Sequence, residues 1–360
     1  LPKLIPHGLR KAVSHGHVDY LRWTLLCTSI YRILKYPAPL KTSTITDGPT
    51  VDVSAAMQEL GIATFVTTFR DRLRNLEKDG KRENTLKGLT LGKLGWTDVH
   101  STNKSGPNGP ALLTSHLDAL NLRAHPVFKA FCDYSRSVAS PELIEQVESL
   151  ANRTAPLYTV TRLADGLAGI GKLSTKIEAA GKVRVFAIPD YWTQTLLRPL
   201  HKALFTVLRE LPTDCTFDQV DGVDRAANAG SSHYWSFDLS AATDRVPIEL
   251  QKVVLKALIG GTSETVNLVV DSWAEILIGR DYILAEDGGA TKKGYTPLRY
   301  ATGQPMGAYS SWAAFAVTHH FCVQLAANLV LGDRVVTQEN GWYNHYMLLG
   351  DDVVLWGDEP

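Results

Sequence analysis

The sequence predicts an α+β fold, on three observations. From residue 160 onward, short apolar runs of strand character stand among longer segments of helical period. Two of those runs, Tyr346-Met347-Leu348-Leu349 and Val353-Val354-Leu355-Trp356, flank Gly350-Asp351-Asp352 and read as a β-hairpin with acids at its tip. The composition, 44% hydrophobic and 21% charged, is that of a chain that folds around a core.

The 360 residues suffice for about two to three ordinary domains. Lys plus Arg and Asp plus Glu each number 37, so no global field draws a polyanion to the chain. A nucleic-acid surface would have to be local, with bases gathered in a groove and acids elsewhere. That balance disfavours a passive RNA-coating protein but suits an enzyme. Cys27, Cys132, Cys215 and Cys322 are scattered without C-x-x-C spacing, which fits neither a zinc site nor a disulfide framework and suggests a reducing compartment. The first residues contain no apolar core of the kind a secretory signal needs. The most apolar long stretch, 312–331, is interrupted by His319, His320, Gln324 and Asn328, and is expected as a buried helix, with no membrane span. The chain begins at Leu1 rather than Met and stops at Pro360, so a fragment or truncated reading frame is expected.

Taken in order, residues 1–95 mix basic residues with short apolar runs. Arg70, Arg72, Arg74, Lys78, Lys81, Arg82 and Lys87 alternate with Asp71, Glu77, Asp79 and Glu83, which reads as a solvated helix face laced with i,i+4 pairs. Residues 101–110 form the clearest loop, because Pro107-Asn108-Gly109-Pro110 continues no regular element. A helix is expected at 141–152 after Ser140-Pro141. A strand covers 183–188, ended by Pro189, and a helix 191–211 follows, with Pro199 bending it. Tyr234 to Leu239 reads as a strand, and Pro247 fits the first turn of a helix running to about 260. Another helix covers 264–279. A Gly/Pro-rich stretch to Gly303 then precedes a long helix over 308–331.

Two acidic places stand out. Asp238 ends an apolar strand, and a carboxylate there must be paired, protonated or metal-bound. Asp244, six residues on near a helix start, could equally be an N-terminal acid favoured by the helix dipole. Asp351 and Asp352 lie adjacent between very apolar runs, where their repulsion is relieved by divalent cations. Gly-Asp alone would be an ordinary turn; together with Asp238 the set suits nucleotidyl transfer by two Mg²⁺ ions, or Mn²⁺ in their place. Hard cations prefer carboxylate oxygens, and no Cys/His cluster competes for them. On this reading Asp238 and Asp351 bridge the metals, Asp352 is an auxiliary ligand, and Asp244 contacts the incoming ribose.

Five ordered blocks resemble a known family: Lys104-Ser105-Gly106-Pro107-Asn108-Gly109, Gly181 to Ala187, Phe237 to Arg245, Gly303 to Trp312, and Leu349 to Asp352. In these residues the chain resembles viral RNA-dependent RNA polymerases, most closely those of mitoviruses. The resemblance implies a right-hand polymerase fold with fingers and an antiparallel palm sheet backed by helices. It places fingers in much of 1–232 and 261–302, with 1–95 as an N-terminal extension, and palm in 233–260 and 303–360. Beyond the acidic hairpin such enzymes continue with a lysine-bearing motif and a thumb, which this chain is expected to lack, so activity of the chain alone is in question.

The resemblance also assigns Lys182 and Arg184 to the motif that holds the incoming triphosphate. Alternation on a strand points both cations to one side, and Arg binds phosphate oxygens as a fork; without the other blocks, the same residues would read as an exposed edge strand. Lys172 and Lys176 extend that cationic channel. Gly303 and Gly307 let backbone approach the template closely, and Ser310 and Ser311 offer hydroxyls to the nucleotide near a helix start, although either serine would serve as well as a helix cap. His319 and His320 are expected to be structural. No Asn stands between Gly303 and Ala327 to read a 2′-hydroxyl, which leaves sugar selection to Ser310, Ser311 and Asp244. The partners implied are an RNA template and product and nucleoside triphosphates, with no evident protein partner, and the implied compartment is the mitochondrion. A reverse transcriptase would carry Tyr-x-Asp-Asp. An inactive virus-derived remnant in a host genome and a two-metal nuclease are the readings from other classes.

Overall fold

A computed structural model of the chain describes residues 3, 5–33, 40–78, 81–82, 84–161, 169–178, 182–285, 295–332 and 341–357. The expected positions Asp79, Glu83 and Gly181 lie outside the described residues. Two compact units divide the chain: Leu1–Lys41 with Thr175–Val185, and Thr42–Ser174 with Phe186–Pro360. In the first, helices His7–Ser14 and Val18–Ser29 pack on each other, and a hairpin tip carries Lys176, Glu178, Lys182 and Arg184.

In the second unit the helices are α1 (Ile62–Arg74), α2 (Ser115–Ala124), α3 (Phe128–Ser137), α4 (Pro141–Thr161), α5 (Tyr191–Glu210), α6 (Gln219–Ala227), α7 (Ile248–Ile259), α8 (Glu264–Ile278) and α9 (Ser311–Leu331). Three of the starts are capped by side chains. Asp190, Asp218 and Ser263 accept the backbone N–H of Thr193, Asp221 and Val266 at 2.8, 2.9 and 3.2 Å. Helix α4 begins at Pro141 as expected but runs on past 152 to Thr161, and it buries Leu143, Ile144, Val147 and Ala151. Helix α5 continues through Pro199.

Helix α9 starts at Ser311 rather than 308, because Met306 and Ala308 form an isolated bridge and Ser310 takes a left-handed φ of 70°. It is apolar all round and long enough by composition to cross a membrane, yet 67% of its apolar window is buried inside the protein, the mark of a core helix. Phe321 on α9 meets Phe69 of α1 edge-on, ring centres 5.3 Å apart. Arg72 departs from the expected solvated face of α1. It is buried, donates to Asn328 Oδ1 at 3.0 Å and lies 5.3 Å from the Phe65 ring centre.

The strands are β1 (Gly171–Ile177), β2 (Val183–Pro189), β3 (Tyr234–Asp238), β4 (Tyr282–Ala285), β5 (Tyr295–Leu298), β6 (Tyr346–Leu349) and β7 (Asp352–Trp356). A three-stranded antiparallel sheet has the order β6-β7-β3. A four-stranded mixed sheet has the order β2-β1-β4-β5, with β1 parallel to β4. The Gly/Pro-rich stretch before Gly303, read from sequence as irregular, thus contains the antiparallel pair β4 and β5. The loop 101–110 holds a miniature ladder, Ser105–Gly106 against Gly109–Pro110.

Candidate active site

The three-stranded sheet brings the two acidic places together. In the β7–β3 ladder Asp352 lies directly opposite Asp238, and the Leu239 N–H carries the pairing on to the Asp351 carbonyl at 3.2 Å. Residues opposite each other in an antiparallel pair point to the same face, with β-carbons about 4.5–5.5 Å apart. Asp238 and Asp352 are both exposed and Asp351 is half-buried in the turn. The sequence reading paired Asp238 with Asp351; the register sets Asp352 across from it, with Asp351 adjacent in the turn.

The turn is held by residues of α9 and its neighbours. Gly350 has φ 62°, and a β-carbon there would lie 2.2 Å from Cη2 of Trp312, so only glycine fits. His319 Nδ1 stands 2.7 Å from the Gly350 carbonyl and donates to it. Burial pulls His319 below the usual imidazole range, which keeps the ring neutral. His320 bridges the Tyr346 hydroxyl (2.8 Å) and Asp214 Oδ2 (3.0 Å), and the 213–215 segment brackets β6 through Leu348 N to Thr213 O and Cys215 N to Leu348 O. Both histidines are therefore structural supports of the acidic hairpin.

Asp244 occupies a different setting. Its Oδ2 accepts the Thr44 hydroxyl at 2.8 Å, and burial raises its pKa above the ordinary carboxylate value while that hydrogen bond and Arg245 lower it. Gly303 packs against this corner: a β-carbon there would meet the Thr243 carbonyl at 2.1 Å, and Gly303 N donates to Asp244 O at 2.9 Å. Gly307, with φ 110°, would meet the Ala187 carbonyl at 2.4 Å. Both glycines permit close approach of the protein's own backbone.

Ser310 and Ser311 are buried, 0% and 1% exposed. Ser310 Oγ accepts the indole N–H of Trp273 at 2.8 Å, and its N–H donates to His201 Nδ1 at 3.2 Å. Burial pulls His201 down to about 4, which leaves it the neutral acceptor. Hydroxyl spacing near a helix start suggested a ligand contact; the apolar packing around α9 turns both side chains inward.

Lys182 and Arg184 belong to the first unit with Lys176, whereas Lys172 lies on the part of β1 in the second. Lys176, Lys182 and Arg184 are exposed and Lys172 is half-buried. Arg184 is forked on Glu178, Nε to Oε1 2.9 Å and Nη2 to Oε2 3.2 Å, and that pairing lowers the Glu178 pKa. Sequence reasoning passed over Glu178. It also passed over a buried cluster beside the loop 101–110. Arg280 Nη1 pairs with Asp190 Oδ2 at 2.5 Å, both side chains fully buried. Asp118 accepts from Asn108 Nδ2 at 2.6 Å and from Tyr191 N at 2.8 Å, and burial pushes it up to about 7. Single acids on helices carry no sequence signal that separates them from ordinary surface charges.

Among the described residues, no group of three or more His, Cys, Asp or Glu side chains is gathered closely enough to hold a metal ion. Mg²⁺ does not ask for such a group, since it usually keeps several waters and binds through one or two carboxylates plus substrate phosphates. Asp238 and Asp352, exposed and opposite each other across two strands, are donors of the carboxylate type that this cation takes.

With this geometry in place, residues 93–359 match the mitovirus RNA-dependent RNA polymerase family, and the chain belongs to it. It is 31% identical over 374 residues to the RNA-directed RNA polymerase of Cryphonectria parasitica mitovirus 1, an alignment covering 99% of this chain and 41% of that protein. Two uncharacterized mitochondrial proteins of Arabidopsis thaliana are 35% and 32% identical, each over 42% of this chain and over 54% and 66% of their own lengths. The chain therefore spans less than half the length of the viral relative. Among solved structures, the RNA-dependent RNA polymerase of a sicinivirus aligns over 90% of this chain and 63% of its own, with a TM-score of 0.45 and 14% identity.

Proposed function

We propose that this chain carries the catalytic residues of an RNA-directed RNA polymerase, which copies a viral RNA genome from nucleoside triphosphates in the mitochondrion. The observation that carries this reading is the register of Asp238 against Asp352, with Asp351 in the turn, in a chain of this family. Asp238, Asp351 and Asp352 would hold two Mg²⁺ ions, which when bound activate a 3′-hydroxyl and stabilise a departing pyrophosphate. The remaining work falls to the chain itself. His319, Trp312 and the Asp214–His320–Tyr346 cluster fix the hairpin so that the acids keep their spacing. Asp244 accepts a hydroxyl of the incoming ribose. Lys182 and Arg184 bind the triphosphate, with Lys172 and Lys176 extending the cationic surface, and Arg184 exchanges its fork from Glu178 to phosphate oxygens. Ser310 supports the fold around Trp273 rather than touching substrate.

Extension of a labelled RNA primer on an RNA template, with Mg²⁺ and the four NTPs, tests this. Synthesis by the chain that is lost in Asp238→Asn supports the reading; a preference for dNTPs contradicts it. A second reading, a remnant that keeps the fold without synthesis, is favoured by the likeness to two plant mitochondrial proteins. It predicts no extension at all under the same conditions.

A further inference from the structure

Asp244 needs a fixed orientation to read a sugar hydroxyl. Its two neighbours in sequence do not supply one, and the helix that follows Gly303 turns its serines inward. The hydrogen bond that reaches its carboxylate comes from elsewhere: Thr44, two hundred residues upstream by chain separation, donates its hydroxyl to Oδ2 at 2.8 Å. Thr44 lies outside the stretch 93–359 that matches the family.

Thr44 is itself held from three directions. The short turn Ser43–Thr46 buries Ile45, which is 1% exposed. Ile45 O accepts from Ala301 N at 2.9 Å, and Asp47 O accepts from the Thr302 hydroxyl at 2.9 Å. Arg245, the residue after Asp244, donates to Asp47 O at 2.5 Å and to Gly48 O at 2.9 Å. Gly303 N and Gln304 N close the same corner on Asp244 O and Thr243 O at 2.9 and 2.8 Å. The 43–48 segment and the residues flanking Asp244 therefore form one hydrogen-bonded block.

We infer that Thr44 is a positioning residue for sugar selection: by engaging Oδ2 it fixes the Asp244 carboxylate so that Oδ1 is presented to a ribose hydroxyl. A threonine hydroxyl donates a single hydrogen, so it can hold only one carboxylate oxygen, and the other keeps its acceptor capacity. A site built to hydrogen-bond a hydroxyl discriminates strongly against the analogue that lacks it, because the buried acceptor is then left unpaired. Without Thr44 the carboxylate rotates about its last torsion and the distinction between ribose and deoxyribose weakens.

The inference rests on the polymerase reading, and its test separates the two. Equilibrium binding of ATP and dATP in Mg²⁺, followed by fluorescence competition or calorimetry, gives a discrimination ratio for the full chain without requiring turnover. The wild-type chain is expected to favour ATP. Thr44→Val should lower that ratio about tenfold, the worth of one hydrogen bond to a charged group, and Thr44→Ser should restore it. Thr46→Val, in the same turn but directed at the Thr42 carbonyl, should leave the ratio unchanged. A merely structural role for Thr44 would weaken ATP and dATP alike. An unchanged ratio in Thr44→Val, or equal loss of both nucleotides with Thr44→Ser no better, overturns the inference while the polymerase reading stands. A wild-type chain that binds neither nucleotide overturns both.

Discussion

The acids at the end of the three-stranded sheet and Asp244, a few residues beyond one of them along the chain, place the same functional group in opposite surroundings. Asp238 and Asp352 are exposed and lie opposite each other across two strands. Asp244 is partly buried, sits in a hydrogen-bonded block and accepts the Thr44 hydroxyl. On the proposed function the first arrangement would take a cation and the second a neutral hydroxyl. One segment, Phe237 to Arg245, would then provide both a metal ligand and a sugar acceptor: the strand leaves its last acid on an open face, and the turn after it tucks the next one into the protein.

That contrast can be broken at several points. Asp238→Asn or Asp351→Asn should abolish nucleotidyl transfer, a loss of about a thousandfold or more, since several kcal/mol of transition-state stabilisation depend on the bound cations. The same substitutions should leave the thermal midpoint in chelator nearly unchanged, because neither side chain is buried; primer extension and a melting scan measure the two effects. Gly350→Ala disturbs the frame rather than the acids. Its methyl group collides with Trp312 at a left-handed φ, so the fold should lose roughly 1–3 kcal/mol in urea unfolding, with transfer lost as the acids shift.

Asp118 sharpens the comparison at the fully buried extreme. Its folded pKa, pushed up to about 7, lies above the ordinary carboxylate value, so its protonated form favours the folded state. The stability it contributes is complete below that ordinary value and is lost as pH rises through about 7. From pH 5.5 to 8 the wild-type chain should therefore lose roughly 2 kcal/mol more than Asp118→Asn in urea unfolding. A paired, half-buried acid gives the smallest effect. Glu178→Gln removes the carboxylate from the Arg184 fork and should tighten triphosphate binding by a few-fold, less so at high salt; competition binding reads it directly.

Much of the fold was legible because it rests on local chemistry. The β-hairpin around Gly350, the strand ending at Pro189 and the helices after Asp190, Pro247 and Ser263 follow period, caps and proline placement. What stayed hidden depends on partners far apart in sequence. Nothing local says that Asp352 rather than Asp351 stands opposite Asp238, because register is set when two distant segments pair. Thr44 beside Asp244, Arg280 beside Asp190, and Arg72 turned into the core are all of this kind. Strands β4 and β5 were missed for another reason: their Gly/Pro-rich surroundings mask a short ladder. The hydrogen bond from Trp273 to Ser310 was not legible either, because a hydroxyl near a helix start reads alike whether it faces a ligand or a tryptophan.

The account turns on whether the cross-strand acids hold divalent cations while Asp244 does not. Mn²⁺ titration of the full chain, followed by electron paramagnetic resonance of the free ion, tests this most directly. The account predicts saturable binding that is lost in Asp238→Asn and Asp352→Asn and retained in Asp244→Asn. Binding that survives Asp238→Asn, or that disappears only with Asp244→Asn, would contradict it.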